Sequence, residues 1–214
     1  MTICQTTAFK EHSVRDAFLL LAAMVLIFIL YPLASILLQS HYHGLATNRP
    51  APQFQLLDVN GKTTTLSDFK GKHIYLMFGF LQCQDVCHSQ AFLLNSIAGV
   101  LPEDDIEFVY LAMDANTDKP SSLEKYFNQR GNNFTSLRAD TQQKMQSLAT
   151  AFNAGFRING NSDSNNYSID HPARLFLIDP EGNLRLTYNG MAVDIKQIID
   201  DFYQLNNIPV IREI

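Results

Sequence analysis

The stretch FGFLQCQDVCHSQ, Phe78–Gln90, carries two of the chain's three cysteines, Cys83 and Cys87, with three residues between them. A Cys-x-x-Cys pair would read directly as a thiol redox centre. The longer spacing leaves three readings open: a disulfide switch, a metal clamp, or two core thiols. If the turn between them is helical, an i, i+4 spacing brings both sulfurs to one face, where they could close a disulfide or converge on one ion. Soft thiolates with an imidazole as third ligand suit Cu(I), or zinc with an open position. A structural zinc site needs four ligands, and its usual repeating pairs are absent. The best-placed imidazole is His171, in SIDHPARLFLID, where a polar loop meets the start of a strand. A loop histidine taken alone is more often solvated than ligating. His41 and His43, in a polar stretch far upstream, read as polar filler.

The elements that must position these residues are regular from Gln53 onward. FQLLDVNGKTTTL gives two short β-prone runs around Asn60-Gly61, a pair that suits a type I′ hairpin turn. HIYLMFGF, 73–80, is a nearly continuous apolar run, as expected of a strand covered on both faces. A helix is expected to begin near Asp85, with Phe92, Leu93, Ile97 and Val100 at helical spacing over 91–100. Both thiols would then lie at the carboxyl end of a central strand beside a helix N-terminus, a position that lowers thiol pKa values. IEFVYLAM, 106–113, is a second buried strand, followed by the polar loop DANTDKP and a helix opening at Ser121 and Ser122. A helix near 141–152 places Met145, Leu148, Ala149 and Phe152 on one side. The polar NGNSDSNNYSID, 159–170, reads as a loop. ARLFLID and LRLTYN flank the turn PEGN, and the amphipathic VDIKQIIDDFYQL closes the domain. This order predicts an α/β fold with a mixed sheet flanked by helices, the element order of thioredoxin-like proteins.

Upstream, AFLLLAAMVLIFILYPLASILL runs for 22 residues without a charge, about 33 Å as a helix and enough to span a bilayer core of about 30 Å. A cleaved signal peptide would have a shorter apolar core and a small-x-small cleavage site, so the run reads as an uncleaved anchor. The expected organisation is a cytoplasmic tail at 1–16, a single transmembrane helix at 17–38, a linker at 39–52 and the folded domain at 53–214. Lys10 and Arg15 before the anchor favour a cytoplasmic N-terminus, which places the domain in an oxidising compartment where a cysteine pair can cycle to a disulfide. Cys4 reads as a stray thiol in the tail. A net charge of −5 with 16 Lys plus Arg gives no basic stripe, so nucleic acid is not an expected partner.

The segments FGFLQCQDVC, MDANTDKP and IDHPARLFLIDPEG, in this order and spacing and preceded by one anchor, resemble the Sco/SenC proteins over residues 50–205. The resemblance implies a membrane-anchored, thioredoxin-like metallochaperone that carries one copper ion, Cu(I) or Cu(II), and assists assembly of the CuA centre of cytochrome c oxidase. Its partner would be the copper-bearing oxidase subunit or another copper-carrying protein. Carried over by motif, the copper ligands are Cys83, Cys87 and His171, and Asp85 and Asp114 match positions that tune the site. The cysteine pair would also serve as a redox-active dithiol, which makes a thiol-disulfide oxidoreductase the second reading; an inert anchored interaction module is the third. An inner-membrane protein with a periplasmic domain is expected, since a mitochondrial transit composition is missing. The chain departs from the family's Cys-Pro-x-x-Cys-Pro form at Gln84 and His88. His88 thereby adds an imidazole beside the site, and Pro172 raises the question of a cis bond after His171.

Overall fold

A computed structural model describes residues 5–37, 42–83, 86–160, 167–190 and 194–207, with side chains for all of these except 5–14, 33–37 and 86. The chain divides into two units, Met1–His41 and Tyr42–Ile214.

The first unit contains α1, Gln5–Leu37, which includes Pro32. It begins well before the expected anchor, taking in most of the expected tail. Within it, Arg15–Pro32 is long and apolar enough to cross a membrane, and its side chains are exposed. A stretch this long and apolar, with exposed side chains, has the length and composition of a membrane span.

The second unit is built on an eight-stranded mixed sheet, ordered β1-β10-β9-β4-β5-β6-β2-β3. The strands are β1 Leu45–Pro50, β2 Gln55–Asp58, β3 Thr63–Thr65, β4 His73–Gly79, β5 Ile106–Ala112, β6 Phe134–Arg138, β9 Arg174–Ile178 and β10 Asn183–Asn189. A separate antiparallel hairpin pairs β7, Arg157–Asn159, with β8, Ser168–Asp170. The helices of this unit are α2 Val86–Ala98, α3 Pro120–Tyr126, α4 Gln142–Ala151 and α5 Ile195–Leu205. At the centre β4, β5 and β6 run parallel, and β9 lies antiparallel against β4. Every residue of β4 and β5 is buried, as expected of predominantly apolar strands covered on both faces; the polar exceptions are His73 and Glu107, the latter paired with Lys72 at 3.1 Å. Tyr75 stacks on Phe108 at 5.7 Å and Phe108 on Phe134 at 4.6 Å, and Phe127 beside α3 packs on Phe134 and Tyr110. Phe152, capping α4, meets Phe78 and Phe176 from β4 and β9. Each such pair is worth about 0.5–1.5 kcal/mol beyond its buried area.

The expected α/β fold is present, with local differences. Residues 45–50 are not free linker: they form the edge strand β1 on β10. Their polar sequence carries no strand signal because an edge strand is held by its backbone ladder. The lock on this segment is Asp201 of α5, fully buried, which accepts from the amides of His43 and Gly44 at 2.9 Å each and from the Tyr188 hydroxyl at 3.0 Å. Gly44 is required there, since a Cβ would stand 2.9 Å from the Tyr188 ring. Strand β6 goes beyond the expected elements, its apolar run being broken by Thr135 and Ser136. The expected loop at 159–170 has strands at its ends, β7 and β8. The turn after β2 is not type I′: only Gly61 has positive φ, and Asp58 holds the loop by accepting from the amides of Asn60 and Lys62. In α2 the buried residues are Cys87, Gln90, Ala91, Leu94 and Ile97, whereas Phe92 is exposed and Leu93 only partly buried, so the inward face differs from the expected one; Val100 lies beyond the helix and is exposed. Helix α3 opens one residue before Ser121, with Pro120 in its first turn, where a missing N–H costs nothing.

Candidate metal centre

The site forms where three segments meet beyond the carboxyl end of β4. Strand β4 ends at Gly79, and the chain turns so that the Cys83 amide donates to the Phe80 carbonyl at 3.1 Å. Helix α2 then begins, and the Cys87 amide in its first turn donates to Cys83 Sγ at 3.3 Å. The loop from β8 into β9 brings in His171, whose Nε2 lies 3.7 Å from Cys87 Sγ. The sulfurs and an imidazole nitrogen all lie within 4.8 Å of one another. Both cysteines are free thiols, Cys87 wholly buried and Cys83 nearly so, and His171 is half-buried.

The protonation pattern is fixed by burial. His171 Nδ1 faces the Pro172 carbonyl at 3.2 Å, and a carbonyl can only accept. The proton therefore sits on Nδ1, leaving the Nε2 lone pair toward the sulfurs. Burial lowers the His171 pKa, so the imidazole is neutral at pH 7, the form that ligates metals. The Cys87 thiol is pushed far up, first by burial and then by its contact with Cys83. This reverses the expectation of a lowered pKa for Cys87: desolvation outweighs the helix N-terminus when the sulfur is wholly inside the protein.

A second tier of contacts holds the loops together. Asp114, fully buried after β5, accepts from the amides of Asn116 and Thr117 at 3.1 Å and from the hydroxyls of Thr117 and Tyr167. Tyr167 immediately precedes β8, so Asp114 fastens the hairpin whose last strand leads to His171. Phe80 packs its ring edge-on to His171 at 6.1 Å and also meets Tyr167. Asp114 thus ties the loop after β5 to the segment that leads through β8 to His171. His88 does not join the cluster: its Nδ1 donates to the Cys83 carbonyl at 2.6 Å and its ring meets Tyr126 edge-on at 5.2 Å. Asp85 lies outside the described residues. No described peptide bond is cis, and that includes His171-Pro172.

Two participants, Asp118 and Tyr110, carry no clear mark in the sequence. Asp118, 2% exposed, accepts from the Leu81 amide at 3.1 Å and so clamps the cysteine turn to the loop after β5. Its other oxygen is buried without a partner among the described residues, and burial pushes its carboxyl up to about 7. Nothing in the spacing of DANTDKP separates Asp118 from an ordinary loop aspartate. Tyr110 reads as plain core, yet its buried ring lies against Gly79, the glycine before the cysteine turn. A Cβ at Gly79 would lie 2.7 Å from its ring and hydroxyl. A glycine inside an otherwise apolar strand is the available signal for that close approach.

Comparison with known proteins places this geometry. The family model described as SCO1/SenC matches residues 44–206. An SCO2-like protein of Rickettsia prowazekii is 27% identical over 152 residues, covering 70% of this chain and 73% of its own. The crystal structure of Arabidopsis thaliana ScoI with copper bound superposes with a TM-score of 0.66 at 22% identity, over 73% of this chain and 98% of that one. BsSco, in which a disulfide switch was identified and which is described as a member of the Sco family of cytochrome c oxidase assembly proteins, superposes with a TM-score of 0.61 at 20% identity, over 80% of this chain and 100% of its own. The structural likenesses establish the thioredoxin-like fold.

Proposed function

Because the chain belongs to the SCO1/SenC family, we propose that it is a copper metallochaperone in which Cys83, Cys87 and His171 hold one copper ion and deliver it during assembly of the CuA centre of cytochrome c oxidase. The observation that carries this reading is the convergence of two sulfurs and one imidazole nitrogen within 4.8 Å of one another. Two soft sulfurs and an imidazole suit Cu(I), and a neutral His171 offers its lone pair without first losing a proton. Binding expels the thiol protons. Delivery to a copper-bearing oxidase subunit proceeds by exchange of ligands, and α1 anchors the carrier in the inner membrane with the domain in the periplasm. The proposed organisation is a tail, an anchor within 17–38, a connecting segment and the domain. Copper titration of the full chain in detergent tests the site: one equivalent bound by the wild type, with His171→Ala weakening copper binding at least tenfold. Equal affinity in that variant would remove the histidine from the ligand set.

A second reading rests on the Cys83–Cys87 contact itself. With the Cys87 amide donating to Cys83 Sγ at 3.3 Å, the two thiols are close enough to give a partner disulfide two electrons and two protons and become a disulfide themselves. Dithiol exchange that persists in His171→Ala would support this as a parallel activity.

A further inference from the structure

Across β9 from β4 in the sheet, a cleft of about 540 Å³ opens between the C-terminal end of α4 and the strands β1, β10 and β9. Two arginines line it, Arg49 from β1 and Arg174 from the start of β9, together with Thr187 and Asn189 and with no acidic residue among its lining residues. The chain as a whole carries a net charge of −5, so this concentration of cations runs against the average. Arg174 donates through Nη1 to the Asn153 carbonyl at the end of α4, an ordinary helix-end role. That bond leaves the rest of the fork unused. Its Nε is buried and has no acceptor among the described residues, so any contact with a ligand in the cleft falls to the terminal amino groups. Neither arginine is in an ion pair among the described residues.

We infer that this cleft binds a phosphate or phosphodiester oxyanion through the guanidinium groups of Arg174 and Arg49. A guanidinium donates from its amino groups to the oxygens of such an anion, and a second arginine on the same cleft adds its charge. The cleft exceeds a bare phosphate in size, leaving room for the remainder of a larger ligand. Two sources present this chemistry: free phosphate, or the headgroup of an anionic phospholipid. The second rests on the proposed membrane anchoring, because β1 follows the anchor closely in the chain.

The test uses the full-length, metal-free protein in zwitterionic detergent, titrated calorimetrically with inorganic phosphate at constant ionic strength. Saturable binding is expected, with Arg174→Gln weakening it at least about tenfold, the loss of a charge-assisted pair of bonds. Arg49→Gln, an exposed edge-strand change that leaves the fold intact, is expected to weaken it severalfold. Arg174→Lys keeps the charge but not the fork, and wild-type affinity in that variant would overturn the inference, as would the absence of saturable binding in the wild type. In nanodiscs, phosphatidylglycerol is expected to compete with phosphate where phosphatidylcholine does not, if the headgroup is the occupant; phosphate binding untouched by phosphatidylglycerol assigns the site to the free anion. Because no metal is present, failure here leaves the copper reading where it stood.

Discussion

Replacing Asp118 by asparagine should make the metal-free protein more stable at pH 8 and leave it nearly unchanged at pH 4. In the native state one Asp118 oxygen accepts the Leu81 amide at 3.1 Å, while the other is buried without a donor among the described residues. Burial, aided by the nearby Asp114 charge, raises the carboxyl from 3.8 to about 7. The folded chain therefore keeps a proton that the unfolded chain has already released between pH 4 and pH 7. Stability is greatest below pH 4 on this account, falls as pH rises to 7, and is flat above. A shift of about three units corresponds to about 4 kcal/mol, an upper bound because relaxation and water entry soften the penalty. The amide introduced by Asp118→Asn is neutral throughout and keeps a carbonyl for the Leu81 amide. The variant's stability should thus lack this slope and exceed the wild type by about 2–4 kcal/mol at pH 8. The assay is urea unfolding of the reduced chain at half-unit pH intervals, followed by tyrosine fluorescence, since the chain contains no tryptophan. Equal pH slopes in the two proteins between pH 4 and 8 would refute the reasoning.

Copper affinity should rise with pH across the neutral range, because burial holds the Cys87 proton to high pH whereas His171 is already deprotonated; calorimetry in two buffers of different ionisation enthalpy should show proton release, and identical heats would contradict it. Gly79→Ala should destabilise the domain by about 1–3 kcal/mol, since the new Cβ would press on Tyr110 at 2.7 Å, and thermal unfolding will read it. Tyr167→Phe removes the hydroxyl from the buried Asp114 and should cost about 1–2 kcal/mol. Hydrogen exchange should locate that loss in the β7–β8 hairpin, with the central strands still protected.

How much of the molecule is legible in the sequence depends on what holds each part. Strands β4 and β5 stand out because burial on both faces demands nearly continuous apolar runs, here interrupted only by His73 and Glu107 near their starts. Strands β1 and β7 do not, because a polar strand held by backbone pairing or by a short hairpin leaves no such trace. The two cysteines and His171 can be picked out by residue type and by their places after one strand and before another. Their environment cannot: the Cys87 pKa moves opposite to the helix-terminus argument because spacing carries no information about desolvation. His88 shows the same limit from the other side. Adjacent to Cys87 in sequence, it is turned by the helix toward the Cys83 carbonyl and Tyr126. Asp118 is invisible for a related reason, since its importance lies in one amide far along the chain that its loop happens to reach.

The pairing of β1 with β10 also sets an order of events during synthesis. β1 lies at 45–50 and its partner at 183–189, and its lock, Asp201, comes later still. Roughly 130 residues separate the two strands, and at ribosomal rates of about 5–20 residues per second β1 waits on the order of ten seconds for its partner. Over that interval it is an unpaired strand edge able to join the wrong neighbour. Its composition answers the hazard: Arg49 and Pro50 at its end discourage strand-to-strand association while costing little in the finished sheet, where the outer edge faces solvent. The polarity that conceals β1 from pattern reading is thus a safeguard for a nascent chain whose first strand is among the last to be paired.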